Sequence, residues 1–148
     1  MFTVSVTRLH LRSLRYIVPF GLATRAISRQ VQRSAGFVAG QLALELPYGF
    51  WTVTVWMERE AMLRFRNASP HGPAMPRLLT WCSESSFVYW DQAGPELPTL
   101  EAAHEKLRSQ GRVSKVNHPM RIPVHRERSF RFNVNARSGD GEHRFRSS

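Results

Sequence analysis

The residue best suited by type to do chemistry in this 148-residue chain is His71, which stands between Pro70 and Pro73. A neutral imidazole accepts a proton or binds iron, so His71 is the candidate catalytic residue, as base or as iron ligand. The competing reading is a surface turn histidine beside two prolines. His10 and Arg12 follow the first alternating run, where they could steer an anionic or carbonyl group at a pocket mouth. Phe50, Trp56 and Trp81 are candidate walls for an apolar ligand, and the hydroxyls of Thr52 and Thr54 are candidates to orient it. Core packing would equally explain the tryptophans, and strand preference the threonines.

Familiar catalytic constellations are missing. No Ser-His-Asp order, phosphate-cradling glycine loop or pair of catalytic carboxylates stands out, which disfavours hydrolysis and phosphoryl transfer by those routes. His104, His118, His125 and His143 show no metal-ligand spacing. The single cysteine, Cys82, excludes an intrachain disulfide framework and a Cys-rich zinc site. Beside Trp81 it reads as a buried, inert thiol, and a lone thiol fits a reducing, cytoplasmic setting.

Charge separates the chain into three parts. Residues 1–33 hold six arginines and no acid, residues 34–120 eight basic and eight acidic side chains, and residues 121–148 seven basic and three acidic. The net charge of +10 therefore sits in two arginine-rich ends around a neutral middle, which would hold a polyanion weakly and without sequence preference. No specific nucleic-acid partner is implied. The longest stretch without charge, Leu46 to Met57, is 12 residues, shorter than the roughly 20 of a membrane-spanning helix.

The elements that must position these residues follow from periodicity. Phe2 to Leu9 alternates as a strand, with Phe2, Val4 and Val6 on one face and Thr3, Ser5 and Thr7 on the other. A helix from about Pro19 to Ala35 places Phe20, Ala23, Ile27 and Val31 on a core stripe, with Arg25, Arg29 and Arg33 on a separate one. Gly36 ends it. Phe37–Leu46 and Phe50–Trp56 form a hairpin about Pro47-Tyr48-Gly49. A helix over Glu58–Asn67 is interrupted at residues 69–73 and resumes over Ala74–Trp81, a strand follows over Ser85–Trp90, and Thr99 caps a last helix over Glu101–Gln110.

This order is the ferredoxin-like βαββαβ arrangement, an α+β antiparallel sheet over residues 1–92. Residues 93–120 make a helical extension packed on that core, and residues 121–148 read as a basic, disordered tail. Strands one and three should be central neighbours. Their hydroxyl faces would then form one surface, turned away from the helices and edged by Phe50 and Trp56. Such a face needs a partner. An RNA-recognition surface is disfavoured because Thr52 stands where a stacking aromatic is needed. The stronger candidate is a second copy, giving a homodimer through the open sheet face, the dimeric α/β barrel.

Four stretches carry a resemblance: Thr3 to Ser13, Ala35-Gly36-Phe37, Phe50 to Trp56, and His71 with Ala74 to Cys82. Together with Gly111 to Pro119 they resemble a poorly characterised bacterial family. That family is similar to antibiotic-biosynthesis-type monooxygenases and to the spheroidene monooxygenase of carotenoid synthesis. The resemblance implies a homodimer with an internal pocket that oxidises a small hydrophobic substrate. Some relatives use haem and others no cofactor, so both stay open. The two prolines around His71 depart from the uninterrupted helix that this pattern implies. The alternative function is a non-enzymatic module of the same fold that binds a small ligand or a protein.

Overall fold

The computed structural model describes residues 1–117, 130–137 and 146–147. Its elements are β1 (Phe2–Leu11), a short 3-10 turn (Leu14–Tyr16), α1 (Ile17–Arg33), β2 (Phe37–Glu45), β3 (Gly49–Trp56), α2 (Arg59–Asn67) and α3 (His71–Trp81), followed by β4 (Cys82–Gln92), α4 (Leu100–Gln110), β5 (Arg112–Val113), β6 (Phe130–Arg137) and β7 (Arg146–Ser147). Every predicted element through α4 is present. At α1's end Gly36 takes φ +84°, a left-handed backbone that favours glycine, and a Cβ there would lie 2.6 Å from that of Ala61. Thr99 caps α4 as expected, its hydroxyl accepting from the Ala102 N–H at 3.1 Å.

Two boundaries move for physical reasons. The second helical stretch restarts at His71 rather than Ala74, because Pro73 falls in α3's first turn, where a missing N–H costs no intrahelical bond. Strand β1 runs two residues beyond Leu9 and takes in His10, with an irregularity in its pairing to β4 at His10/Leu11.

All pairings are antiparallel, and the sheet order is β5-β4-β1-β3-β2-β6-β7. The predicted central neighbours, β1 and β3, are indeed adjacent, with Ser5 opposite Thr54, Thr7 opposite Thr52 and Leu9 opposite Phe50. Residues 130–137 correct the expectation of a tail for that stretch: they pair with β2 from Ala39–Arg137 to Glu45–Phe130. Phe130, Phe132, Val134 and Ala136 alternate with polar residues, the period of a strand, and this signal is diluted by the charged residues around it. The rest of residues 118–148 lies outside the described residues.

The layering corrects the predicted open face. Helices α1, α2 and α3 lie over the hydroxyl face of the sheet, whose lining side chains include Ser5, Thr7, Thr52 and Thr54. Helix α4 packs on the opposite face, its Ala103 and Leu107 against Val4, Val6, Trp51, Val53, Val55 and Val88. The aliphatic face is the one closed by continuous packing, with Val4, Val6, Val53 and Val55 fully buried. The hydroxyl face is therefore not the open one: helices of the same chain roof it. Phe50 and Trp56 are likewise under helices, not on an exposed platform for RNA. No helix among the described residues is long and apolar enough to cross a membrane.

Candidate functional site

The roof over the hydroxyl face touches the sheet at its two ends and stands clear in the middle. At one end Phe20 of α1 meets Phe50 of β3, ring centroids 4.4 Å apart. At the other, Trp56 packs against Phe65 of α2 at 5.1 Å and against Phe37 at 5.6 Å. Between these aromatic props the sheet carries Ser5, Thr7, Thr52 and Thr54, side chains too short to reach the helices. The result is a cavity of about 240 Å³. The sequence alternation thus makes the cavity directly: large rings at Phe50 and Trp56 hold the roof up, and hydroxyls between them leave the space.

The cavity floor follows the register. Gly40, Thr54, Ser5 and Tyr89 form one row across β2, β3, β1 and β4, and Leu42, Thr52, Thr7 and Phe87 form the next. Thr54 is committed to structure, accepting a hydrogen bond from the Trp56 indole N–H at 2.9 Å and so fixing that ring. The roof contributes Thr24, Ile27, Ser28, Val31 and Gln32 from α1, Met62, Phe65 and Arg66 from α2, and His71, Met75 and Leu78 from α3.

His71 is held by three contacts. Its backbone N–H, one of the donors a helix start leaves unpaired, donates to the Gln30 side-chain oxygen at 2.9 Å. The Gln30 amide nitrogen in turn donates to the carbonyls of Phe65 at 3.0 Å and Ala68 at 3.3 Å, tying α1 to the α2–α3 corner. The imidazole packs on Phe65 with centroids 4.9 Å apart. Its Nδ1 lies 2.9 Å from the Arg66 carbonyl. A carbonyl only accepts, so Nδ1 carries the proton and, in the neutral ring, Nε2 is the acceptor. Burial pushes the imidazole below its ordinary pKa, with the nearby Arg66 charge acting the same way and the bond to the Arg66 carbonyl opposing. A neutral ring with a basic Nε2 on the cavity wall is suited to take a proton.

Of the predicted site residues, the fold brings His71, Phe50, Thr52, Thr54 and Trp56 to one cavity, and places His10, Arg12 and Trp81 elsewhere. His10 points to the opposite face because it follows Val4 and Val6 in β1's alternation; it is buried, with Nδ1 3.1 Å from the Ser83 hydroxyl. Arg12 is spent on structure, donating to the Thr80 carbonyl at 2.8 Å and to the Tyr16 hydroxyl, over whose ring it lies. Trp81 packs into the cluster around Leu11, Phe20, Leu78 and Cys82. Cys82 is buried as expected, and burial pushes its thiol up to about 12.

Three features escape the sequence reading. Thr24, Ser28 and Gln32 form an i, i+4 polar stripe inside the roof, between the apolar and arginine stripes of α1. Gln30 carries the clamp on His71. On the far face Arg8 bridges Glu45 at 3.0 Å and Glu84 at 2.7 Å, while the Trp51 indole donates to Glu45 at 2.7 Å. Burial works against the Arg8 charge, but the two carboxylates outweigh it and hold its pKa above the ordinary value. Only the first had a usable signal, its four-residue spacing.

No group of three or more His, Cys, Asp or Glu side chains among the described residues could hold a metal ion. The cavity, about 240 Å³, is partly open to solvent.

No protein-family model and no curated protein matches the chain. Solved structures do. Two crystal structures of SnoaB, a cofactor-independent oxygenase from Streptomyces nogalater, one of them a mutant, superpose with a TM-score of 0.52 at 19% identity. They cover 64% and 67% of this chain and 98% and 96% of SnoaB. A Nitrosomonas europaea protein assigned as an antibiotic biosynthesis monooxygenase superposes with a TM-score of 0.54 at 16% identity, over 64% of this chain and 100% of that one. This chain thus shares its ferredoxin-like α+β fold with SnoaB and the Nitrosomonas europaea protein.

Proposed function

We propose that the chain is a monooxygenase that oxidises a small hydrophobic substrate in the cavity between the hydroxyl face and α1–α3. The observation that carries this reading is His71: a neutral imidazole on the cavity wall, its Nδ1–H fixed on the Arg66 carbonyl and its Nε2 left as base. The oxygenase fold supports the same direction, and the cofactor-independent activity of SnoaB supplies a chemistry that needs no site for haem.

In that chemistry the substrate is its own reductant. A CH₂ group activated by a neighbouring carbonyl or aromatic ring loses a proton to Nε2 of His71. The carbanion gives its electrons to O₂, a C–O bond forms, and the hydroperoxide loses water. CH₂ and O₂ become C=O and H₂O, with no outside electron donor. Phe20, Phe50 and Trp56 bind the apolar body beneath the helical roof.

The test is oxygen uptake with small benzylic ketones and naphthols, comparing the wild type with His71→Asn. Loss of uptake with retained binding supports the base. Equal uptake in both removes His71 from catalysis. Binding without oxidation of any probe by the wild type favours the non-enzymatic ligand-binding module.

A further inference from the structure

Gln32 differs from every other polar residue around the cavity. It lies one helical turn beyond Ser28 and two beyond Thr24 on α1, so its side chain joins the polar stripe of the roof. Its amide nitrogen is buried and has no hydrogen-bond partner, the one such side-chain atom among the described residues. Gln30, two residues earlier, spends both ends of its amide on the α2–α3 corner and His71. A buried N–H₂ without an acceptor is costly, and native proteins keep few of them. Replacing Gln32 with an apolar side chain would remove that cost, so its presence needs a use.

We infer that Gln32 is a specificity residue whose amide donates to an acceptor oxygen on the ligand, a carbonyl or ether on an otherwise apolar skeleton. This rests on the proposed use of the cavity as a substrate site. The terminal torsion of a glutamine is soft and roughly two-fold, so a turn of the amide presents the N–H₂ to the cavity without moving α1. The surroundings fix the ligand's charge class. Gln32 lies next to Ser28 on the polar stripe of α1, Thr54 and Tyr89 line the same cavity, and no lysine does. Its arginine, Arg66, is exposed and lies over the Phe87 ring, 5.8 Å from the centroid. The donor inside is neutral, so it selects a neutral oxygen over a carboxylate. An analogue without that oxygen leaves the amide unpaired and loses affinity.

A matched pair of probes tests this: 1-tetralone, a bicyclic ketone, and tetralin, the same skeleton without the oxygen. Titrated into the wild type by calorimetry or tryptophan fluorescence, the ketone should bind about tenfold more tightly. In Gln32→Leu that ratio should fall to near one, with tetralin bound at least as well as before. The unliganded Gln32→Leu protein should melt no lower than the wild type, since it loses an unpaired donor, and this also shows that the variant folds. A ketone preference that survives in Gln32→Leu overturns the assignment. Equal affinity for both probes in the wild type overturns it too while leaving the cavity reading intact. Binding of neither probe overturns both.

Discussion

The Nδ1 atom of His71 lies 2.9 Å from the backbone carbonyl of Arg66, five residues earlier and across the corner between α2 and α3. That one bond decides the tautomer, and with it which nitrogen is free to act as a base. It also depends on the corner holding its shape, which Gln30 ensures from α1.

The first prediction concerns that base. Removing it in His71→Asn should lower turnover by about 10²–10⁴-fold, the usual contribution of a positioned proton acceptor. Because burial holds the imidazole below its ordinary value of 6.5, kcat/KM should rise with pH through a pKa below that value and be flat above it. The same shift gives the stability sign. Below pH 6.5 the unfolded chain binds more protons than the folded one, so this histidine's contribution is intact above 6.5 and is lost as pH falls through the folded pKa. Urea unfolding at several pH values, compared with His71→Asn, measures it.

A second prediction separates Gln30 from His71. Gln30→Leu leaves the His71 N–H and the carbonyls of Phe65 and Ala68 without their partner, which should cost about 1–3 kcal/mol in urea unfolding. Turnover should fall less than in His71→Asn, because the imidazole itself is kept.

The aromatic props give a third. Trp56 is fully buried, and Trp56→Ala should destabilise the protein by about 3–5 kcal/mol, the usual cost of a large core truncation. It also releases the Thr54 hydroxyl and lets the roof sink at that end. Thr52→Val, by contrast, keeps the shape of the floor; thermal melts should show it close to the wild type.

The charged cluster on the opposite face is structural. Glu45→Ala strips Arg8 and the Trp51 indole of their shared carboxylate and should cost about 3–5 kcal/mol, as expected when one partner of a buried pair is removed. Since the sheet separates it from the cavity, ligand affinity measured in the folded protein should not change.

The lone thiol should be silent. With its pKa pushed up to about 12 inside the cluster of Leu11, Phe20 and Leu78, Cys82 should resist iodoacetamide at pH 8 in native protein and react at once in denaturant.

Much of this architecture was legible because the elements carry strong local signals: the alternation of Phe2 to Thr7, the hairpin about Tyr48-Gly49, Thr99 as a cap, Gly36 as a stop. The side of the sheet on which the helices lie was not. Val4, Val6, Val53 and Val55 looked like the helix-bearing face by hydrophobicity alone, yet α4 takes that face, and α1–α3 rest on rings at the ends of the hydroxyl face. A local pattern records that a face is covered, not which element covers it. The site divides in the same way. Residues on β3 reached the cavity because period two fixes their direction, whereas His10 and Arg12 were judged by nearness in sequence and lie on the wrong face or in other bonds. The tertiary contacts of Gln30 and Arg8 span 35 to 76 residues and leave no local trace.

The claim on which the rest depends is that a ligand enters the cavity beneath α1–α3. The direct measurement is a two-dimensional amide NMR titration of labelled wild-type protein with 1-tetralone. Shifts concentrated at Thr24, Ser28, Thr52, Thr54 and His71, with Val53 and Ala103 on the far face unmoved, are the predicted result. Shifts confined to the outer surface, or none at millimolar probe, would contradict it.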